Sequence, residues 1–182
     1  SHLFYPFNYA HLILPLPFAL NFLIIFHHLL AAVGMYFYLR HKTSCSFSSF
    51  VGALVFSLSS SFILRILAGH PAVINSITWM PFLFLTVDYA LEKKKGIFVI
   101  LSGIILALQI LGGHMQFVFI TIVGLFCYVI YYAWVAYFYQ RRTFREISIY
   151  FLLFSGVVFL GVGLSAVQLL PLRETMSESL RF

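Results

Sequence analysis

The chain has 182 residues, of which 62% are hydrophobic and only 9% are charged, and its mean hydropathy is +1.00. Soluble domains carry roughly 25% charged residues, so this composition excludes an ordinary soluble enzyme and favours a protein that crosses a membrane several times. The net charge of +6 does not indicate a nucleic-acid partner, because in a membrane protein the placement of positive charge reports orientation. Membrane lipid is the partner that the composition predicts.

The chain begins with a lead-in of residues 1–17, in which three prolines interrupt any long helix. Six apolar stretches follow, most of them near the ~20-residue length of a membrane-spanning helix. The predicted spans are residues 18–39, 48–67, 73–91, 97–111, 115–139 and 147–170. The sequence therefore predicts an all-α, polytopic transmembrane bundle, with residues 1–182 in a single domain.

Positive charges fall mainly on one side when the loops between these spans alternate across a membrane. Eight of the eleven Lys and Arg residues share that side, namely Arg40, Lys42, Lys93, Lys94, Lys95, Arg141, Arg142 and Arg145. The tendency of basic loops to stay inside places this side in the cytoplasm. The lead-in, the turns at residues 69–71 and 112–114 and the tail after Pro171 then lie outside.

A short pattern occurs in both of these outer turns. Residues 66–70 read Ile-Leu-Ala-Gly-His, and residues 110–114 read Ile-Leu-Gly-Gly-His. Glycine permits a tight turn, and two imidazoles at one membrane face could bind a phosphate or a hydroxyl group. The alternative is that each His is an interfacial residue bonded to a neighbouring turn. No third ligand stands at a suitable spacing, so a divalent metal has no support in the sequence and no other cofactor is evident.

Three further polar residues are candidates for the same outer site. Arg65, close to the outer end of its span, could bind a lipid-linked phosphate, although snorkelling to the headgroups would also explain it. Gln116 follows His114 by two residues. Glu174 could act as a base or bind sugar hydroxyls, or it could be a solvated loop charge. The predicted substrate-binding residues are Arg65, His70, His114, Gln116 and Glu174.

Other polar residues are expected to have structural roles. His27 and His28 lie near the middle of the first span, where interhelical hydrogen bonds are expected. A haem with two axial histidines is excluded, because no other His has a matching depth. Asp88 lies near the inner interface and is expected to pair with the lysines there.

Five motifs, taken in order, carry a resemblance to a known family. They are Tyr5-Pro6-Phe7-Asn8, the stretch from Pro15 to His28 that leads into residues 29–36, Gly69-His70 ahead of Trp79-Met80-Pro81, Gly113-His114-Met115-Gln116, and residues 166–171, Ala-Val-Gln-Leu-Leu-Pro, followed by Glu174. With this order and spacing the whole chain resembles bacterial YfhO-type membrane proteins. The family's second turn usually reads Gly-His-Pro-Gln, so Met115 is a departure.

That family is similar to the GT-C class of glycosyltransferases, which are polytopic helical enzymes that take a sugar from a polyprenyl-phosphate donor. The resemblance implies a multi-pass protein of the bacterial cytoplasmic (inner) membrane that transfers sugar to an acceptor on the extracytoplasmic face. It also implies a catalytic Asp or Glu in an outer loop upstream of Ser1, so the sequence is interpreted as an internal piece of a longer protein. A lipid or solute transporter or flippase, and a non-catalytic scaffold for envelope assembly, are the alternatives.

Overall fold

The structure, a computed structural model, describes residues 4–171 apart from the side chain of Ser61. Within this range the chain is helical and has no strand, so the predicted all-α fold is confirmed. A 3₁₀ turn, Pro6–Tyr9, comes first, and residues 166–171 are helical at the other end of the range. The helices between are α1 (Ala10–Ile13), α2 (Leu16–Thr43), α3 (Ser46–Ser57), α4 (Ser60–Leu67), α5 (Pro71–Ile77), α6 (Met80–Lys93), α7 (Gly96–Leu111), α8 (Met115–Phe138) and α9 (Phe144–Leu164).

Prolines set two of the helix boundaries. A proline ring clashes with the carbonyl group four residues earlier, so a regular helix does not run through that position. Helix α4 ends at Leu67, four residues before Pro71. Helix α5 ends at Ile77, four residues before Pro81. The stretch predicted as one span, residues 73–91, consequently consists of two helices.

Four helical stretches are long and apolar enough to cross a membrane. They are α2, the stretch Ser46–Leu67 that comprises α3 and α4, α8 and α9. Helix α7 is equally apolar but has only 16 residues. Large apolar side chains such as Phe119 and Phe159 project outward from these helices, as contact with lipid requires. The chain is thus a polytopic helical membrane protein, while the count of six spans stays a prediction.

Helix α7 lies at the centre of the packing, between α6 and α9. Four helices contribute to the main core, through Leu83 of α6, Leu106 of α7, Leu125 of α8 and Val157 of α9. Gly161 allows α9 to approach closely, since a Cβ there would lie 2.6 Å from the side chain of Leu106. Helix α2 packs on the other side of α6 and also against α3.

The two ends of the bundle carry different chemistry. At one end, which we call the basic end, the last turn of α2 meets α6 and α8 through Lys42, Asp88 and Tyr128. Lys94 lies over the ring of Tyr150 at the same end. The turns at residues 69–71 and 112–114 lie at the other end, which we call the Gly-His end. Basic loops and Gly-His turns are therefore at opposite ends of the molecule.

Candidate functional site at the Gly-His end

The two Gly-His turns have the same backbone conformation. Gly69 and Gly113 have φ angles of +68° and +93°, in a region that glycine enters freely and other residues do not. The His that follows is the N-cap of the next helix in both turns, with φ and ψ of −104° and 67° at His70 and −108° and 86° at His114. The N–H of each of these glycines bonds the carbonyl three residues earlier, at 3.1 and 3.0 Å. The repeat in the sequence is therefore also a repeat in the structure.

The second turn packs directly on α5, the helix that follows the first turn. The N–H of His114 donates to Ser76 Oγ at 3.2 Å, and this hydroxyl donates to a carbonyl of α7 at 3.3 Å. Gly112 fits tightly here, because a Cβ would lie 3.1 Å from Ser76 Oγ and 3.2 Å from the carbonyl carbon of Asn75. Ser76 is six residues beyond His70, or roughly 9 Å along α5. The two turns therefore share one end of the bundle, with the second lying farther along α5.

The predicted site residues differ in their exposure. Arg65, His70 and Gln116 are exposed. His114 is half-buried, and its ring packs on Phe117 at a centroid distance of 5.1 Å. Its Nδ1 atom is buried and has no hydrogen-bond partner among the residues that the structure describes. Glu174 lies outside the described residues, so a pocket shared by all five side chains stays a prediction.

Two glutamines, the buried Gln109 and the half-buried Gln168, make hydrogen bonds next to the second turn. Gln109 Nε2 donates to Thr121 Oγ1 at 2.9 Å, which joins α7 to α8. Gln168 Nε2 donates to the carbonyl of Ile110 at 3.4 Å, which joins the segment after α9 to α7. Each Oε1 atom is buried without a donor in the described part of the chain. Gln109 was missed by the sequence analysis, although a lone amide in an apolar run is a signal for an interhelical hydrogen bond.

A partly enclosed cavity of about 110 Å³ lies beside the first turn. It is bounded by the lead-in, the start of α2 and the start of α5, and most of its wall is apolar. The polar side chains that line it are Asn8, His11 and Asn75. The sequence analysis proposed none of these three as site residues, because the lead-in and α5 are far apart in the chain and only the fold brings them together.

A buried chain of hydrogen bonds holds the lead-in in place. Trp79 Nε1–H donates to the hydroxyl of Tyr5 at 3.0 Å, and that hydroxyl donates to His27 Nε2 at 2.6 Å. The other ring nitrogen of His27 donates to the carbonyl of Leu23 at 2.7 Å, so the imidazole is neutral. Burial raises the pKa of the Tyr5 phenol well above its ordinary value. The bond predicted for His27 thus goes to the lead-in and not to another span.

A charged cluster occupies the basic end, far from the Gly-His turns. Asp88 is fully buried and pairs with Lys42, and it accepts a hydrogen bond from the hydroxyl of Tyr128 at 2.6 Å. His41 Nε2 lies 3.0 Å from Asp88 and 3.2 Å from Glu92. The expected pairing of Asp88 with a lysine at the inner interface is therefore confirmed, and Lys42 in the last turn of α2 is the partner.

His41, Asp88 and Glu92 have ligand atoms close enough together to hold a metal ion. The ammonium group of Lys42 already contacts the same carboxylate oxygen of Asp88. A cation from the chain itself thus neutralises the buried acid, and the cluster is accounted for as an ion-pair network that joins α2 to α6.

The chain can be compared with known proteins. No curated protein and no solved structure matches the chain. One family model, described as bacterial membrane protein YfhO, matches residues 1–181. With that coverage, and with the helical membrane architecture described above, the chain belongs to the YfhO family of bacterial membrane proteins.

Proposed function

We propose that the chain is part of an integral membrane glycosyltransferase of the bacterial cytoplasmic membrane. It moves a sugar from a polyprenyl-phosphate donor to an acceptor on the extracytoplasmic face. The observation that carries the proposal is the presence of two equivalent Gly-His turns at the end of the bundle away from the basic loops, with the second turn bonded to α5 through His114 N–H and Ser76. Membership of a bacterial membrane protein family is consistent with this location.

The proposed site residues have different roles in the reaction. The acceptor hydroxyl oxygen attacks the anomeric carbon while the bond from that carbon to the phosphate oxygen breaks. Arg65, His70 and His114 stabilise the negative charge that grows on the leaving polyprenyl phosphate. Gln116 and Glu174 bind sugar hydroxyls. The acceptor proton goes to a carboxylate, for which an acid upstream of Ser1 is the candidate.

Substitution of His70 in the complete protein tests the proposal. His70→Ala removes one donor from the charged end of the leaving group and should lower sugar transfer about 100-fold, the usual effect of losing one such donor. His70→Gln keeps a hydrogen-bond donor and should retain part of the rate. Transfer is measured in membranes with a radiolabelled polyprenyl-phosphate sugar, per molecule of inserted protein.

His41→Ala, which changes a histidine at the basic end, is the matched control and should leave transfer per inserted molecule unchanged. Wild-type transfer by His70→Ala would remove this residue from the site. A complete wild-type protein that transfers no sugar from any polyprenyl-phosphate donor would contradict the proposed function itself.

A transporter or flippase is the second candidate, and one feature of the fold favours it. The stretch Ser46–Leu67 is broken between α3 and α4 at Leu58 and Ser59, and α5 is separated from α6 at Thr78 and Trp79. Interrupted helices line substrate sites in many transporters. Substrate-dependent uptake into vesicles that contain the complete protein, without any covalent change to the substrate, would favour this candidate over the enzyme.

A further inference from the structure

The cavity beside the first Gly-His turn has the features of a binding site for a small polar group. Its volume of about 110 Å³ corresponds to three or four water molecules at roughly 30 Å³ each. Pro71, which follows His70 directly, forms part of its wall, and Asn75 closes it on the side of α5. The backbone of Asn75 also contacts the second turn at Gly112. The cavity therefore lies next to both turns.

Two of its polar side chains have no partner within the described range. Asn75 is only 7% exposed, yet its side-chain amide forms no hydrogen bond with any residue that the structure describes. His11 Nδ1 is buried and is likewise without a partner in that range. Buried polar groups are usually paired, and an unpaired one is unfavourable. Water, or a ligand that donates and accepts hydrogen bonds inside the cavity, would satisfy both groups.

The lining also restricts the charge of that ligand. Among residues 4–171, none that lines the cavity is Lys, Arg, Asp or Glu, and Arg65 is not part of the lining. The amide of Asn75 offers both donors and an acceptor, as vicinal hydroxyl groups require. The apolar remainder of the wall suits the C–H face of a sugar ring. A phosphate would find no charged partner in this lining.

We propose that the cavity lined by Asn8, His11 and Asn75 binds hydroxyl groups at one edge of an uncharged sugar ring. The cavity is too small for a sugar together with its phosphate, so the rest of the molecule extends past the turns. This inference rests on the proposed function for the choice of a sugar as the hydroxyl-bearing ligand. It adds the residues that recognise the ring, which are distinct from those assigned to the phosphate.

Saturation-transfer difference NMR on the complete protein in lipid nanodiscs tests the inference, with glucose and N-acetylglucosamine as probes and inorganic phosphate as the charged comparator. The wild type should transfer saturation to at least one of the two sugars. Asn75→Leu keeps the side-chain size and removes the amide, and it should lower that signal at least fivefold. The matched control is Asn21→Leu, the same change at an exposed position of α2, which should leave the signal unchanged.

A second variant separates loss of binding from loss of folding. Ala72→Leu fills the cavity without touching its amides and should also abolish the sugar signal. Both variants should insert and unfold at temperatures near that of the wild type. Wild-type signals in both variants, no sugar signal in the wild type, or phosphate binding that depends on Asn75 would each overturn the inference.

The transfer assay keeps this inference distinct from the proposed function. If His70→Ala abolishes transfer while Asn75→Leu retains the wild-type KM for the sugar donor, the cavity is not the sugar site and the enzyme proposal stands. If the wild type binds sugar through Asn75 but transfers none, the cavity assignment stands and the enzyme proposal fails.

Discussion

Asp88 shows how a single residue is placed by contacts that the sequence does not indicate. Its nearest lysines in the chain are at 93–95, yet its fully buried carboxylate pairs with Lys42 from the end of α2. Lys93 lies over the rings of Tyr89 and Phe98 instead. The sequence predicts which membrane face holds an acid, but the choice of partner depends on the direction in which a helix face points, and that is fixed only by packing.

The prediction for a single residue concerns Asp88 in the charged cluster at the basic end. Asp88→Asn leaves the ammonium group of Lys42 without its carboxylate, and should lower the free energy of unfolding by about 3 kcal/mol, as expected for a broken buried pair. Adding Lys42→Met to Asp88→Asn should recover most of that loss. Thermal unfolding in nanodiscs measures both, with Glu146→Gln at the partly exposed pair of Arg142 and Glu146 as the control that changes little. An Asp88→Asn protein as stable as the wild type would show that the pair does not hold α2 to α6.

Helix boundaries are predictable where prolines set them and much less so elsewhere. The ends of α4 and α5 follow from Pro71 and Pro81. The break between α3 and α4 contains no proline, and Ser59 takes up an extended conformation there as the N-cap of α4. Serine competes for backbone hydrogen bonds in apolar helices without fixing where the helix stops. The repeated Gly-His turn was visible in the sequence, whereas its packing on α5 required the fold.

The prediction for the secondary-structure elements concerns the contact between the second turn and α5. Gly112→Ala places a Cβ 3.2 Å from the backbone of Asn75, so the turn has to move away from α5. Overpacking of this kind should lower the free energy of unfolding by about 1–3 kcal/mol. Sugar transfer should fall with it, because the two turns separate.

The matched control for that change is Gly96→Ala, at the other end of α7. A Cβ there meets nothing within 4 Å, so stability and transfer should be unchanged. Thermal unfolding and the transfer assay are run on the same preparations. Equal behaviour of the two alanine variants would show that the contact between the second turn and α5 has no role.

At the scale of the whole molecule, charge pattern and composition predict the architecture best. An all-α membrane bundle with basic loops at one end follows from hydropathy and from the order of the Lys and Arg residues. The same reasoning does not find the cavity, since its polar lining comes from the lead-in and α5 and no local pattern relates them. The sequence does not indicate the buried hydrogen bonds of Tyr5 with Trp79 and His27 either, because an aromatic lead-in also suits a membrane interface.

The central claim is that both Gly-His turns face the extracytoplasmic side together. The most direct measurement is labelling of intact cells with a membrane-impermeant maleimide, on single variants of a cysteine-free complete protein. His70→Cys and Gln116→Cys, at exposed positions beside the two turns, should both be labelled without permeabilisation, and Lys94→Cys at the basic end only after it. Labelling of positions 70 and 116 from different compartments, or of both only after permeabilisation, would contradict the account.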